Sequence, residues 1–256
     1  MGLKILLTND DGYKAESMHV LAQTLLKHGH RVSIFSTSKD ASGYGNALTI
    51  THKVNMRKRD NPNYSVYVLE DATTADCVVI GAQFVNKDVD LVISGINYGP
   101  NIGKDINHSA TVGGAREALM IGKPGVAVSV NSFKPKHLRE ISELFVDLLE
   151  GPLVQYLNTE YIMNINFPDR TPARIKGIRV APPSSYGWDN IISFKTIKNY
   201  IQVSIKGVRP KVPGEPGTDW WWLKQGYITI TPLGKSDVDT HLVDSLANKL
   251  SLDRFW

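Results

Sequence analysis

Lys4-Ile5-Leu6-Leu7-Thr8-Asn9-Asp10-Asp11-Gly12 is the stretch on which the fold turns: an apolar run that gives out at two adjacent carboxylates and a glycine. Side chains alternate faces along a strand, so neighbouring aspartates converge on one point only where the strand breaks into a loop, and Gly12 permits that break. Two ionised carboxylates a few ångströms apart repel, and one takes up a proton unless a divalent cation lies between them. Asn, Asp and Gly are also the usual residues of a polar turn, so this stretch alone leaves both readings open.

Downstream, Met18, Leu21, Ala22, Leu25 and Leu26 recur at helical spacing until His28-Gly29 ends the helix, and residues 31–36 supply the next strand. Residues 90–94 and Gly125–Val130 are β-rich runs flanking a helix expected from about 111 to 121, and Ile141, Leu144, Phe145, Leu148 and Leu149 mark one face of another. This alternation predicts an α/β fold, a Rossmann-like and mostly parallel sheet with helices on both faces. Ligands in such sheets bind beyond the carboxyl ends of the strands, where Asp10-Asp11 and segments 36–46 and 97–109 all fall.

The second half differs in texture. Seven of the thirteen prolines lie between Pro168 and Pro216, and two β-branched segments, 194–197 and 201–205, flank Lys198-Asn199-Tyr200 as a projecting hairpin. Tyr227-Ile228-Thr229-Ile230-Thr231 alternates as a half-buried strand, and Leu242, Val243, Leu246 and Leu250 give a final amphipathic helix. The division expected is an α/β core over 1–167 and a β-rich extension over 168–256, working as one functional domain.

A chain of 256 residues with 42% hydrophobic content can bury a substantial core. No apolar stretch approaches the ~20 residues of a membrane span, and no charged n-region with a cleavage site opens the sequence, so no membrane partner and a cytoplasmic location are expected. The lone Cys77 excludes an intramolecular disulfide and a thiolate metal cluster, and its apolar neighbours mark it as packing. The 29 basic against 25 acidic residues favour anionic ligands in general. Arg57-Lys58-Arg59 is the nearest approach to a basic patch; without interleaved aromatics it reads as a solvated turn, and no specific nucleic-acid partner is expected.

Two further segments carry chemistry. The connection from Ser94-Gly95-Ile96-Asn97 to Ser109-Ala110-Thr111-Val112-Gly113 is longer than an α/β domain needs unless it builds a site. Its Gly99-to-Asp105 portion imitates a phosphate-binding P-loop but is one residue short and has Asp105 where a Ser or Thr binds Mg²⁺. Ser109 and Thr111 instead open a helix whose first N–H groups and two hydroxyls can hold an anion, although a plain Ser/Thr cap has the same sequence. The segment Lys39-Asp40-Ala41-Ser42-Gly43-Tyr44-Gly45-Asn46 is a Gly-rich loop after the second strand, and by itself it could be any turn.

Taken in order, Asn-Asp-Asp-Gly, Ser-Gly-x-x-Asn-x-Leu-Thr, Ser-Gly-Ile-Asn and Ser-x-Thr-Val-Gly resemble the SurE family of metal-dependent nucleotidases. The likeness continues through Gly217-Thr218-Asp219, residues 225–233 and the terminal helix, so it spans essentially the whole chain. The resemblance implies a metal held by Asp10, Asp11, Ser42 and Asn97, and a phosphate surrounded by Asn46, Ser109 and Thr111. An all-oxygen set favours Mg²⁺ or Mn²⁺ over Zn²⁺. The implied chemistry is hydrolysis of nucleoside monophosphates, 5′ and also 3′, with Asp10 and Asp11 catalytic and Asp10 orienting or deprotonating the attacking water. A covalent aspartate nucleophile stays open. His108 stands where the family has an aromatic residue and is taken as a neighbour of the site.

Two departures concern the site's shape. Ala15-Glu16-Ser17 replaces the family's Ala-Pro-Gly, and Ala110 replaces a glycine, which would cost of order 1 kcal/mol if positive φ were required there. Two alternatives stand beside this reading: a broad acid phosphatase or exopolyphosphatase acting on polyphosphate, and a non-catalytic nucleotide-binding module, which would not need both carboxylates beside the phosphate. The apolar hairpin, together with the stripe Leu242, Leu246, Leu250, Phe255 and Trp256, points to a homodimer or homotetramer, and the resemblance implies exchange of this C-terminal segment between subunits.

Overall fold

The first strand, β1 (Lys4–Thr8), is apolar on both faces because both are covered. Ile5 and Leu7 enter one core with Ile34, Ile93 and Met18, whereas Leu6 enters a second with Phe35, Val92 and Val78. Burying each such side chain contributes roughly 1.5–3 kcal/mol. The computed structural model describes residues 2–208, 212 and 214–235.

From β1 the chain runs through α1 (Glu16–Lys27), β2 (Arg31–Thr37), β3 (Asn55–Arg59), β4 (Ser65–Glu70) and α2 (Thr74–Val79). It continues with β5 (Leu91–Tyr98), α3 (Ala110–Met120), β6 (Gly125–Val130), α4 (Leu138–Leu148) and β7 (Tyr161–Phe167). The remainder is β8 (Ile178–Val180), β9 (Asp189–Ile197), β10 (Tyr200–Val208), α5 (Asp219–Gln225) and β11 (Ile228–Gly234).

Among the described residues nine strands form one sheet in the order β3-β4-β2-β1-β5-β6-β7-β11-β8. The six strands from β4 to β7 are parallel; β3 is antiparallel to β4, β11 is antiparallel to β7, and β8 runs parallel to β11. Helices α1 and α4 pack together on one face and α2 and α3 on the other. The expected α/β architecture is therefore present, and β8 and β11 of the extension complete the core's own sheet.

Three local expectations need correction. Arg57-Lys58-Arg59 is not a turn but the end of β3, an edge strand whose exposed charges discourage pairing with another chain. The strand expected at 90–94 runs on to Tyr98 across a register shift between Ser94 and Asn97, so Asn97 lies in β5 and the connection to α3 is shorter than expected. Ala110 is the first helical residue of α3 and lies outside the positive-φ region, so its methyl group carries no backbone penalty.

The hairpin projects as anticipated: β9 and β10 form a separate two-stranded sheet, with Phe194 and Ile205 75% and 72% exposed. The terminal helix and the stripe through Trp256 lie outside the described residues. No helix among the described residues is long and apolar enough to cross a membrane. Cys77 is fully buried in α2, and burial pushes its thiol far above the usual range, as packing requires.

Candidate metal and phosphate site

Because β2, β1 and β5 are neighbours in the sheet, the residues that follow them meet at one edge. Gly12, at φ +88°, turns the chain against the backbone of Lys39, where a Cβ would lie 3.3 Å from the Lys39 carbonyl carbon. The Ala41 amide donates to the Asp10 carbonyl at 2.8 Å, so the loop after β2 is sewn to the loop after β1.

Asp10 is 3% exposed, and Thr111 Oγ1 donates to its Oδ1 at 2.7 Å. Burial pushes Asp10 above the usual carboxylate range, against the Thr111 bond and a contact from the Ser42 hydroxyl. Asp11 accepts at Oδ2 from the Tyr98 amide (3.2 Å) and the Asn9 side-chain nitrogen (3.4 Å). Its own burial, followed by the charge of Asp10, pushes it up to about 7.

Asp40 adds negative charge that acts on both carboxylates. Its Oδ1 accepts from the Ser42 amide at 2.8 Å, fixing the loop's turn. Asn97 is buried, and its amide nitrogen donates to the Gly99 carbonyl at 2.8 Å, which leaves the amide oxygen as its remaining polar atom.

These residues fit a hard cation. The charged side chains acting on the pair are acidic, burial makes their ionisation costly, and the neutral donors beside them are oxygens. Among the described residues no three His, Cys, Asp or Glu side chains cluster as a metal-binding set, so a cation here would rest on two carboxylates and neutral oxygens.

The phosphate side is built by α3. Ser109 is its N-cap, with Oγ accepting from the Val112 amide at 3.0 Å, which leaves the hydroxyl proton free to donate. The Gly113 amide returns to the Ser109 carbonyl at 2.9 Å, so the amides of Ala110 and Thr111 are the orphan donors at the helix's positive end. The structure thus brings Asp10 and Thr111 into direct contact and gives the Thr111 hydroxyl proton to a carboxylate. Asn46 is exposed and turned toward α3; with its amide oriented to place the nitrogen against the acceptors there, that nitrogen donates to the Gly113 carbonyl at 2.7 Å. The His108 side chain is exposed, and its carbonyl accepts from Gly45 at 3.1 Å.

Sequence reasoning missed several supports. Ser17, one of the departures, donates from its hydroxyl to the Ile96 carbonyl (2.6 Å) and from its amide to Tyr98 Oη (3.1 Å), so α1 braces the strand end that holds Asp11. Asn101 bonds to Asn166, Asn164 and Ser129, and the buried Asp219 accepts from the amides of Gly103, Ser184 and Trp220. The Asn101 contacts anchor the β5–α3 connection to β6 and β7, and the bond from Gly103 to Asp219 anchors it to the extension. They join residues far apart in sequence and leave no local pattern; Asp219 stands in the Gly217-Thr218-Asp219 motif, which by itself assigns it no role.

The model of the family described as survival protein SurE matches residues 5–190. The chain is 36% identical over 232 residues to the 5′-nucleotidase SurE of Aquifex aeolicus, covering 89% of this chain and 90% of that one. It is 34% identical to the 5′/3′-nucleotidase SurE of Photorhabdus laumondii, covering 90% and 89% respectively. The crystal structure of the SurE protein from Aquifex aeolicus superposes with a TM-score of 0.83 at 30% identity, over 97% of this chain and all of that one. With the family's model matched over most of its length, the chain belongs to the SurE family.

Proposed function

We propose that this protein is a metal-dependent phosphomonoester hydrolase that releases phosphate from nucleoside monophosphates, a 5′-nucleotidase that also accepts 3′ esters. The names of its relatives support the reaction class. The observation that carries the mechanism is the pairing of the buried Asp10 with the half-buried Asp11 beside the N-terminus of α3, joined to it by the 2.7 Å bond from Thr111 to Asp10. Asp10, Asp11, Ser42 and Asn97 would hold one Mg²⁺ or Mn²⁺ per subunit. When bound, the cation supplies positive charge to the phosphoryl oxygens and acidity to the attacking water.

The protein's own groups do the rest. The Ser109 hydroxyl and the amides of Ala110 and Thr111 offer preorganised donors to the non-bridging oxygens, where charge builds in the transition state, while Asn46 on the loop side gives its amide nitrogen to the Gly113 carbonyl. Thr111 orients the Asp10 carboxylate, and Asp10, made more basic by burial, holds the attacking water or takes its proton. The exposed apolar hairpin supports a homodimer or homotetramer.

The test is a rate panel on nucleoside 5′- and 3′-monophosphates and polyphosphate, with and without chelator. Nucleotide turnover should vanish in EDTA and return with Mg²⁺ or Mn²⁺; full turnover in excess EDTA refutes the metal site. Preference for polyphosphate would favour the broad phosphatase, and metal-independent binding without turnover would favour the binding module.

A further inference from the structure

Glu117 sits two turns into α3, 5% exposed, and nothing in the proposed reaction uses it. An apolar residue of similar size would pack there without the cost of burying a carboxylate. What Glu117 faces is the Gly-rich loop. The Asn46 amide, its nitrogen turned toward α3, donates to the Gly113 carbonyl at 2.7 Å and to Glu117 Oε2 at 3.3 Å. Both N–H bonds of the amide are thereby committed to the helix, leaving Asn46 only its oxygen to offer elsewhere.

The loop lies flush on α3 around this contact. A Cβ at Gly113 would stand 2.1 Å from the Gly45 carbonyl oxygen, so the two backbones touch, and the Gly45 amide donates to the His108 carbonyl at 3.1 Å. Past Asn46 the loop is held again, by Thr73 Oγ1 donating to the Ala47 carbonyl (2.6 Å) and the Thr49 amide donating to Asp76 Oδ1 (2.9 Å). Ser42 lies between the anchor of Ala41 on Asp10 and the anchor of Asn46 on α3, so its position is set by both.

We infer that Glu117 is a positioning residue: through the Asn46 amide it latches the Ser42 loop onto α3 and so sets where Ser42 stands relative to Asp10 and Asp11. This rests on the metal-site reading given above. Glu117 then touches neither cation nor substrate, and Asn46 serves the site by holding the loop rather than by donating to phosphate.

The experiment compares Glu117→Leu, Glu117→Gln, Asn46→Ala and the double variant Asn46→Ala/Glu117→Leu. Two readouts apply to the full chain: amide hydrogen exchange of segment 41–48, and Mn²⁺ affinity by calorimetry without substrate. Glu117→Leu and Asn46→Ala should each speed exchange in the loop and weaken Mn²⁺ binding about tenfold, the usual scale for groups that orient metal ligands. Glu117→Gln, which keeps an acceptor oxygen, should restore both, and the double variant should be no worse than either single one. A folded Glu117→Leu protein with wild-type loop exchange or wild-type Mn²⁺ affinity overturns the inference, as do additive effects in the double variant. Should Glu117→Leu fail to fold, Asn46→Ala decides, because its side chain is exposed and its removal leaves the core intact. Mn²⁺ affinity that Asp10→Asn leaves unchanged would bring down the metal-site reading, and this inference with it.

Discussion

In metal-free protein Asp11→Asn should raise stability while it destroys activity. Asp11 is held at about 7 against an ordinary value of 3.8 by burial and by Asp10, so about three pH units separate folded and unfolded states. At about 1.36 kcal/mol per unit the ionised carboxylate costs the fold at most ~4 kcal/mol at neutral pH. Part of Asp11 remains in water, which screens the charge and brings the expected gain to ~1–3 kcal/mol. For a chain of this size that is a rise of roughly 3–10 °C in Tm in EDTA. The sign follows from proton counting. An acid whose folded pKa lies above its unfolded value binds more protons when folded, so Asp11 should make wild-type stability fall as pH rises from about 4 to 7, and Asp11→Asn should lack that part of the fall while the part due to Asp10 remains. Saturating Mg²⁺ or Mn²⁺ should stabilise the wild type, by about 2.7 kcal/mol at a hundredfold excess over Kd, and the variant far less. Thermal melts in EDTA and in Mn²⁺ across this pH range provide the assay. An Asp11→Asn protein less stable than wild type in EDTA at pH 7 would refute the claim that two unneutralised carboxylates oppose each other here.

Thr111→Val should lower kcat/KM by about 10–100-fold and also weaken Mn²⁺ binding, because the hydroxyl orients Asp10; unchanged kinetics would reduce it to a packing group. Asp219→Leu leaves three buried backbone amides without their acceptor and should cost about 3 kcal/mol or more in denaturant unfolding; a loss under 1 kcal/mol would show that the Gly103 anchor is dispensable. His28, whose hydrogen bonds to Glu150 and Glu143 hold its pKa above the ordinary value, should stabilise the fold most between the carboxylate and imidazole ranges. That contribution disappears as pH rises through the raised imidazole value, and equally as falling pH protonates Glu143 and Glu150, whose pKa values are lowered. The Tm difference between wild type and His28→Gln, followed with pH and salt, should therefore peak in mildly acid, low-salt buffer, and a flat difference would exclude the ion pairs.

The legible parts of the fold were those where burial imposes a simple pattern. Strand β1 is covered on both faces and reads as an unbroken apolar run; α1 and α4 are covered on one and read at helical spacing. Strand β3, Asn-Met-Arg-Lys-Arg, could not be read this way, because an edge strand pairs through its backbone and leaves its side chains to solvent. The end of β5 was hidden differently: the register shift between Ser94 and Asn97 interrupts the alternation, and Ser-Gly-Ile-Asn looks like a turn. The partners of candidate site residues were illegible for a further reason. Thr111 and Asp10 are 101 positions apart, and no local pattern declares that a helix-opening hydroxyl will be spent on a carboxylate.

The sheet order explains why segments so scattered in sequence come together. From β1 the chain moves outward to β2, passes to the edge at β3 and back to β4, returns across the sheet to β5 on the other side of β1, and continues to β6 and β7. At β1 the connections leave in opposite directions, which opens a crevice beyond the carboxyl ends of the strands. Asp10 and Asp11 end β1, the Ser42 loop follows β2, and Asn97 lies at the end of β5, so each of the three neighbouring strands delivers one element to that crevice. Helix α3, reached through the β5–α3 connection, then points its positive end at the same place. The arrangement separates the two jobs: acidic and neutral oxygens gather on the strand ends, and N–H donors on the helix. A phosphomonoester needs both at once, because its oxygens require donors and its charge must be offset beside carboxylates that would otherwise repel it.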